Sequence, residues 1–234
     1  MKTKTELIKF NQGLDLESGE RLDTFDLIVE TYGQLNTDKD NGILICHAFS
    51  GNHHAAGKTA DGGVLGWWDE IIGPGKAIDT DKFFVVCSNN LGGCSGSSGP
   101  LSTNPETGES YGKDFPSVSV TDWVNSQKLL TDHLGIAKWH MVVGGSLGGM
   151  QALQWSISYP NKVKKVGIFA TATKSSTQNI AMNEVGREAI RKDKNFMGGD
   201  YLKHSIKPKN GLKAARMLGH ITYSSEEIMD QKFG

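Results

Sequence analysis

One short segment constrains the fold more than any other part of the chain. An apolar run at residues 141–143 leads into Gly144-Gly145-Ser146-Leu147-Gly148, and a helical pattern follows over residues 147–159, closed by Pro160. A second apolar run lies at residues 166–169. Strand, helix and strand at this spacing form a βαβ unit, in which the two strands are parallel and the crossover is right-handed in nearly all proteins. The sequence therefore predicts an α/β protein.

Other apolar runs predict the rest of the sheet. They lie at residues 25–30, 43–46 and 83–87 and are rich in β-branched or aromatic side chains. Such runs are typical of strands buried on both faces, as in a mostly parallel sheet flanked by helices. A helix is predicted over residues 121–134, with Thr121 as its N-cap, Asp122 in its first turn and Gly135 after its end.

The pattern changes after Thr173. Two helical segments, at about residues 177–192 and 208–222, follow one another with only Gly-Gly and Lys-Pro-Lys-Asn-Gly turns between them. No strand is predicted there, and the arrangement is typical of a helical lid. We expect residues 1–174 to form the N-terminal part of an α/β core and residues 175–234 to begin the lid, with the C-terminal core strands absent.

Composition excludes several function classes. The formal net charge is −1, whereas nucleic-acid binding usually needs a strongly basic face. No apolar run approaches the roughly 20 residues that span a bilayer, and residues 1–10 lack the apolar stretch of a secretory signal. Cys46, Cys87 and Cys94 lack the spacing of a zinc site or a disulfide scaffold. A soluble cytoplasmic protein with no nucleic-acid or membrane partner is expected.

Ser146 is the candidate nucleophile. Gly-x-Ser-x-Gly between a strand and a helix is the pattern of a nucleophile elbow, a strained turn that lifts the hydroxyl above the sheet edge. Side chains at positions 144 and 148 would collide across so sharp a turn, which explains both glycines. The Leu147 N–H, at the start of the helix, could donate to an oxyanion. The alternative is a Gly-rich turn with an ordinary capping serine.

A second oxyanion donor is expected from the loop after an earlier strand. His47-Ala48-Phe49-Ser50-Gly51 follows the run at residues 43–46, and the backbone N–H of Phe49 is the candidate donor. The role of His47 stays open between a site residue and a polar residue satisfied at a strand end.

Three neighbouring features allow other interpretations. Residues 51–59 resemble a P-loop, but five residues rather than four separate the glycines, and the breaker run Ala60-Asp61-Gly62-Gly63 follows instead of a helix. His53 and His54 have no further ligand at a suitable spacing for a metal. The Gly/Ser-rich segment at residues 89–100 is either a flexible connector or part of an active-site rim.

A serine nucleophile also needs a base and an orienting acid, which follow an elbow serine in the order Asp or Glu, then His, at the ends of later strands. The histidines downstream of Ser146 are His204 and His220, both in or beside helical segments, and no late strand is predicted. The Asp and His of the triad are therefore expected to be missing from this chain. We expect it to be C-terminally truncated and inactive alone.

Several long motifs resemble the homoserine O-acyltransferases, which are α/β-hydrolase-fold enzymes of methionine biosynthesis. The motifs are FDLIVETYG (25–33), ICHAFSGNHHAAG (45–57), GWWDEIIGPGKAIDT (66–80), residues 83–100 and 144–160, QNIAMNEVGREAI (178–190) and GLKAARMLGHITY (211–223). The likeness covers essentially the whole chain, and a generic esterase would share only the elbow.

The resemblance implies ping-pong acyl transfer from acyl-CoA to the hydroxyl of L-homoserine. Ser146 would carry the acyl group, and the N–H groups of Phe49 and Leu147 would hold the oxyanion. Arg216 matches the arginine that pairs with the homoserine carboxylate, and Arg187 is a second candidate. The acyl-CoA is a substrate, and no metal or bound cofactor is implied.

The acyl donor is the least determined part of the resemblance. The segments at residues 53–57 and 66–69 favour a succinyl-CoA-dependent enzyme, and an acetyl-CoA-dependent homoserine O-acetyltransferase is the alternative. A carboxylesterase and an inactive fragment are further alternatives. A homodimer built through the lid helices is implied for the full-length form.

Overall fold

The computed structural model describes residues 1–59 and 62–234, which form two compact units. The first unit comprises Met1–Ser110 and Phe115–Thr173, and the second comprises Tyr111–Asp114 and Lys174–Gly234. The strands are β1 (Thr3–Phe10), β2 (Leu14–Asp15), β3 (Arg21–Leu22), β4 (Phe25–Tyr32), β5 (Gly42–Cys46), β6 (Ile72–Gly73), β7 (Ile78–Asp79), β8 (Phe84–Ser88), β9 (Met141–Gly145) and β10 (Val166–Phe169). The α-helices are α1 (Val120–His133), α2 (Leu147–Ser158), α3 (Thr177–Arg191), α4 (Lys209–Thr222) and α5 (Glu226–Phe233).

Six strands of the first unit form one sheet in the order β1-β4-β8-β5-β9-β10. The pairs β8–β5, β5–β9 and β9–β10 are parallel, while β4 is antiparallel to both β1 and β8. The sheet is thus mixed but mostly parallel, and the predicted α/β class is confirmed. Cys46 pairs with Gly144, and Phe169 pairs with Gly145. The carboxyl ends of β5, β9 and β10 therefore lie side by side at the same end of the sheet.

Hydrophobic clusters cover both faces of the central strands. On one face Leu44, Val86 and Val142 pack with Ala152 and Trp155 of α2 and with residues of α1. On the other face Ile43, Ile45, Val85, Cys87 and Val143 pack with Ala55, Ala56 and Ile72. Alternate residues of each strand thus enter different clusters, which explains why the sequence shows continuous apolar runs there rather than alternation.

One strand was not predicted, and one predicted helix begins earlier than expected. The unpredicted strand is Thr3–Phe10, an edge strand that buries only Ile8 and Phe10. Helix α1 begins at Val120, not after a Thr121 cap. Its N-cap is Ser119, whose hydroxyl accepts the N–H of Asp122 while the Asp122 carboxylate accepts the Ser119 N–H. This reciprocal capping box is more favourable than a single Thr cap.

The second unit is helical throughout its regular structure. Helices α3 and α4 contact each other closely at Gly211, where a Cβ atom would overlap the backbone of Ala189 and Ile190. The carboxylate of Asp193 accepts the N–H of Gly211 at 2.8 Å and so fixes the start of α4. Helix α5, capped by Ser225, was not predicted.

In the described parts of the chain no strand follows β10. Across those same residues, none of the helices combines the length and apolar character needed to cross a membrane.

Candidate active site

Ser146 lies between the end of β9 and the first residue of α2, with a φ of 54° and a ψ of −121°. This conformation is rare for a residue with a Cβ atom and persists only where the surroundings hold it. Three hydrogen bonds do so. The Ser146 N–H donates to the carbonyl of Phe169 at 2.9 Å, and its carbonyl accepts from the Thr171 hydroxyl at 2.6 Å and the Met150 N–H at 3.1 Å. The predicted strained turn is therefore present.

The hydroxyl of Ser146 is accessible. The residue is exposed, and its side chain makes no capping hydrogen bond to α2. No group in residues 1–59 or 62–234 forms a hydrogen bond with its Oγ. The alternative of an ordinary capping serine is thus wrong in its geometry.

The glycines of the elbow permit a close approach of three backbone segments. A Cβ atom on Gly144 would overlap the backbone of Gly148, and one on Gly148 would overlap the carbonyl group of Cys46, both inside the 3.0 Å limit for real Cβ contacts. On Gly145 the nearest atom to an added Cβ would be 3.8 Å away. The two glycines of the motif are therefore required by packing against each other and against β5.

Two backbone N–H groups that follow the carboxyl ends of β5 and β9 have no acceptor among the described residues. Leu147 is the first residue of α2, and its N–H has no acceptor within the described chain, as is usual for the first turn of a helix. The Phe49 N–H, in the loop after β5, also lacks an acceptor there. The Phe49 side chain is 83% exposed, so the loop does not bury this residue in the core.

His47 fixes the peptide group to which the Phe49 N–H belongs. Its Nε2 accepts the backbone N–H of Asn90 at 3.0 Å, so the proton of the neutral ring resides on Nδ1. Nδ1 then donates to the Ala48 carbonyl at 2.8 Å, which also accepts the N–H of Gly51 at 2.9 Å. Because an amide group is planar and trans, holding the Ala48 carbonyl orients the Phe49 N–H in the opposite direction.

Burial keeps His47 in its neutral form. The residue is 3% exposed, and this desolvation lowers the pKa of its imidazole below the ordinary value. His47 is thus a satisfied polar residue at the end of a strand, and its hydrogen bonds shape the candidate site. Its partner, Asn90, is 43 residues away, so no local pattern predicts this contact.

The Gly/Ser-rich segment after β8 is bound to β4 and is not a free connector. The Ser97 hydroxyl donates to the Asn89 carbonyl at 2.6 Å and accepts the Ile28 N–H at 3.1 Å. The Ser98 hydroxyl accepts the Asp26 N–H at 2.8 Å. These serine side chains continue the pairing of the sheet beyond the end of β8.

The loop at residues 51–59 does not form a phosphate cradle. The N–H groups of Ala55 and Ala56 donate to the Tyr32 hydroxyl at 2.7 and 3.0 Å, and the Gly57 N–H donates to the Asp69 carboxylate at 2.6 Å. The donors that a phosphate would need are therefore occupied. Ala60 and Asp61, the first half of the breaker run expected after this loop, lie outside the described residues.

His53 and His54 do not form a metal site with their neighbours. His54 is buried, with Nδ1 at 3.0 Å from the Glu30 carboxylate and Nε2 at 3.2 Å from the Val64 carbonyl. His53 has a pKa lowered chiefly by burial and also by His54. Over the described residues, no group of three or more His, Cys, Asp or Glu side chains could hold a metal ion.

Both candidate arginines belong to the second unit. Arg187, on α3, is paired with the carboxylate of Glu184 one turn earlier, with Nε at 2.7 Å from Oε2. Arg216, on α4, is exposed and makes no ion pair with any described residue. Of the two, Arg216 has the guanidinium free for another carboxylate.

His204 and His220, the histidines downstream of Ser146, are also in the second unit, as are the carboxylates of Asp193 and Asp200. Asp193 accepts the N–H groups of Gly211 and Asn195, which lower the pKa of its carboxyl. Asp200 pairs with Lys113 at 3.1 Å, which lowers its pKa. Both carboxylates serve local structure, while His204 and His220 are exposed.

A strained serine after a parallel strand, with the first N–H of a helix beside it, is typical of α/β hydrolases. The chain belongs to this class: residues 41–231 match the family described as alpha/beta hydrolase fold.

Comparison with individual proteins points to a more specific group within this family. The chain is 60% identical over 228 residues to homoserine O-succinyltransferase of Neisseria gonorrhoeae, covering 97% of this chain and 60% of that protein. The crystal structure of homoserine O-acetyltransferase from Bacillus anthracis superposes with a TM-score of 0.92 at 37% identity, over 98% of this chain and 62% of that one. The structure of esterase E22 superposes with a TM-score of 0.90 at 38% identity, over 99% and 64% respectively. The resemblance drawn from the motifs is thus confirmed, and the chain spans about 60% of the length of the relatives it matches.

Proposed function

We propose that the protein to which these residues belong transfers an acyl group from acyl-CoA, preferably succinyl-CoA, to the hydroxyl of L-homoserine. The observation that carries the proposal is the free hydroxyl of Ser146, held at a φ of 54° in a chain that is 60% identical to a homoserine O-succinyltransferase. An acetyl-CoA donor is the alternative, favoured by the likeness to a homoserine O-acetyltransferase.

The reaction has two half-reactions at Ser146. Its Oγ attacks the thioester carbonyl of the acyl-CoA while a base takes the hydroxyl proton, and the C–S bond then breaks as the thiolate of CoA leaves and takes up a proton. The homoserine hydroxyl next attacks the acyl-serine ester, loses its proton to the base, and Ser146 leaves as an alkoxide that is protonated again. Each half-reaction passes through a tetrahedral oxyanion.

We assign the stabilisation of that oxyanion to the N–H groups of Phe49 and Leu147. Both lack an acceptor within the described residues, and Leu147 adds the positive end of the α2 dipole. Each such donor is worth about 10²–10³-fold in kcat in other enzymes with oxyanion holes.

The base and its orienting acid are proposed to lie in a segment of the full-length protein outside these 234 residues. The 234 residues alone would then be inactive. The exposed apolar side chains of the edge strand β10 support this proposal. Strand β10 is an edge strand, yet Val166, Ile168 and Phe169 are 38%, 39% and 55% exposed. An apolar parallel strand of this kind is normally covered and paired, so we expect further core strands beside it.

Arg216 is the proposed partner of the homoserine carboxylate, because its guanidinium is unpaired among the described residues and can bind a carboxylate through two hydrogen bonds. Arg187 is the second candidate, but its pairing with Glu184 opposes that role. We further propose that residues 175–234 begin a helical lid and that the full-length protein is a cytoplasmic homodimer that needs no bound cofactor.

The test uses the full-length protein with succinyl-CoA or acetyl-CoA, with and without L-homoserine, and measures release of CoA thiol and formation of the O-acyl product. Product formation that Ser146→Ala abolishes is expected. Rapid hydrolysis of p-nitrophenyl esters without transfer to homoserine would favour a carboxylesterase, a second candidate supported by the likeness to esterase E22. Turnover by the 234 residues alone would contradict the proposed position of the base and acid.

A further inference from the structure

A chain of three buried polar side chains links α1, α2 and the end of β5. The Trp155 indole N–H donates to Oε1 of Gln127 at 2.8 Å, and Nε2 of Gln127 donates to Oε1 of Gln151 at 2.8 Å. Gln127 and Gln151 are 1% and 0% exposed. Two primary amides in a hydrophobic core are costly unless their polar atoms are paired, and here they pair with each other.

The direction of these hydrogen bonds is fixed by Trp155. An indole N–H can only donate, so the atom of Gln127 that faces it must be the oxygen. The amide nitrogen of Gln127 therefore faces Gln151 and must meet its oxygen. It follows that Nε2 of Gln151, and not Oε1, faces away from Gln127.

In that direction Gln151 meets two backbone carbonyl groups. Its Nε2 lies 3.3 Å from the carbonyl oxygen of His47 and 3.4 Å from that of Leu147. His47 begins the loop that carries the Phe49 N–H, and Leu147 carries the other proposed oxyanion donor. One amide group therefore ties together the two segments that form the proposed oxyanion hole.

We propose that Gln151, oriented by Gln127, is a positioning residue that sets the spacing between the N–H groups of Phe49 and Leu147. The inference rests on the proposed function, because it takes these two groups as the oxyanion donors. The Gln151 amide forms its hydrogen bonds with Gln127 and with the carbonyl groups of His47 and Leu147, and it acts through those two carbonyl groups. Errors of about 1 Å in such positions cost up to about 10²-fold in rate.

The test is Gln151→Met in the full-length protein, because Met is of similar length and apolar. Gln154→Met is the matched control, since Gln154 lies on the same helix and, within residues 1–59 and 62–234, its amide bonds only to Ser158, at 2.9 Å. The readout is the single-turnover rate of Ser146 acylation by p-nitrophenyl acetate, which requires neither CoA nor homoserine, together with kcat and KM for acyl transfer.

We expect Gln151→Met to lower the acylation rate and kcat by about 10- to 100-fold, with KM changed less than about 3-fold. Gln154→Met should leave these rates within about 2-fold of wild type. A lowered melting temperature with an unchanged acylation rate would assign Gln151 a purely structural role and overturn the inference.

Two further variants keep the test decisive if Gln151→Met does not fold. Gln127→Met, on the other helix, should lower the acylation rate by a smaller factor than Gln151→Glu does at neutral pH, because it removes only the group that orients Gln151. Gln151→Glu should have a low acylation rate at neutral pH, because a carboxylate cannot donate to the two carbonyl groups. As pH falls and the carboxyl group takes up a proton, it becomes a donor, and the rate should recover relative to that of wild type. A wild-type acylation rate in Gln127→Met, or a pH profile of Gln151→Glu parallel to that of wild type, would contradict the inference.

Failure of the proposed function gives a different result. In that case the wild-type protein would not transfer an acyl group to homoserine, while the acylation assay would still compare Gln151 with Gln154.

Discussion

The Nε2 atom of His47 accepts the backbone N–H of Asn90 at 3.0 Å, and this hydrogen bond joins the loop after β5 to the loop after β8. Because the same contact places the ring proton on Nδ1, it also determines that His47 holds the carbonyl of Ala48. One buried imidazole thus connects the Gly/Ser-rich loop with the peptide group that presents the Phe49 N–H.

Replacing His47 by Phe should therefore affect both stability and activity. The Asn90 N–H would be left buried without an acceptor, which should lower the free energy of unfolding by about 1–3 kcal/mol. Acyl transfer should fall further than the loss of folded protein explains, because the Ala48 carbonyl loses one of its two hydrogen bonds and keeps only that from the Gly51 N–H. Urea unfolding and kcat of the full-length protein measure the two effects. His133→Phe, at an exposed position, should change neither, and equal effects of both variants would contradict this role.

Acid should destabilise the protein through the same residue. The pKa of His47 is lowered by burial from an ordinary value of 6.5, so the unfolded chain binds this proton more readily than the folded one. The contribution of His47 to stability is then fully present above about pH 6.5 and is lost as pH falls below it. Urea unfolding between about pH 5 and pH 7.5 should show a shallower slope for His47→Gln than for wild type. Parallel slopes would show that His47 does not titrate between the two states.

Much of this arrangement followed from local sequence. The glycines at 144 and 148 imply a turn too tight for a Cβ, and the structure shows the overlaps that would result. Strand β1 was missed because it is an edge strand that buries only Ile8 and Phe10, too few for an apolar run. The direction of β4 could not be predicted either, since the apolar pattern of a short strand does not distinguish parallel from antiparallel pairing.

The polar contacts around the site could not be predicted, because each joins residues distant in sequence. Gln151 lies 104 residues from His47, and Gln127 lies 24 residues from Gln151. A glutamine within a helical pattern is usually a surface residue, and only the packing of α1 on α2 buries these two.

The backbone of Ser146 offers a test of strain that does not depend on activity. With a φ of 54° and a ψ of −121°, glycine should relieve strain that alanine retains, so Ser146→Gly should be more stable than Ser146→Ala by about 1 kcal/mol or more. At Ser156, inside α2, the order should reverse by about 1 kcal/mol, as is usual for helix interiors. Urea unfolding of the four variants measures this, and the same order at both positions would contradict a strained elbow.

The two arginines should respond differently to substitution by lysine. Arg216→Lys keeps the positive charge but cannot form the bidentate pair of hydrogen bonds with a carboxylate. It should raise KM for homoserine by about 10-fold or more, with a small change in KM for the acyl-CoA. Arg187→Lys should leave both within about 2-fold, because Arg187 is paired with Glu184. Steady-state kinetics of the full-length protein distinguish the two, and the reverse order would transfer the role to Arg187.

The central claim is that Ser146 carries the acyl group between two substrates. Full-length protein incubated with succinyl-CoA in the absence of homoserine should release one equivalent of CoA thiol, and peptide mass spectrometry should find one succinyl group on Ser146. Addition of L-homoserine should remove that group and yield O-succinylhomoserine. Transfer to homoserine that proceeds at the wild-type rate without an adduct on Ser146, or that survives Ser146→Ala, would contradict the account.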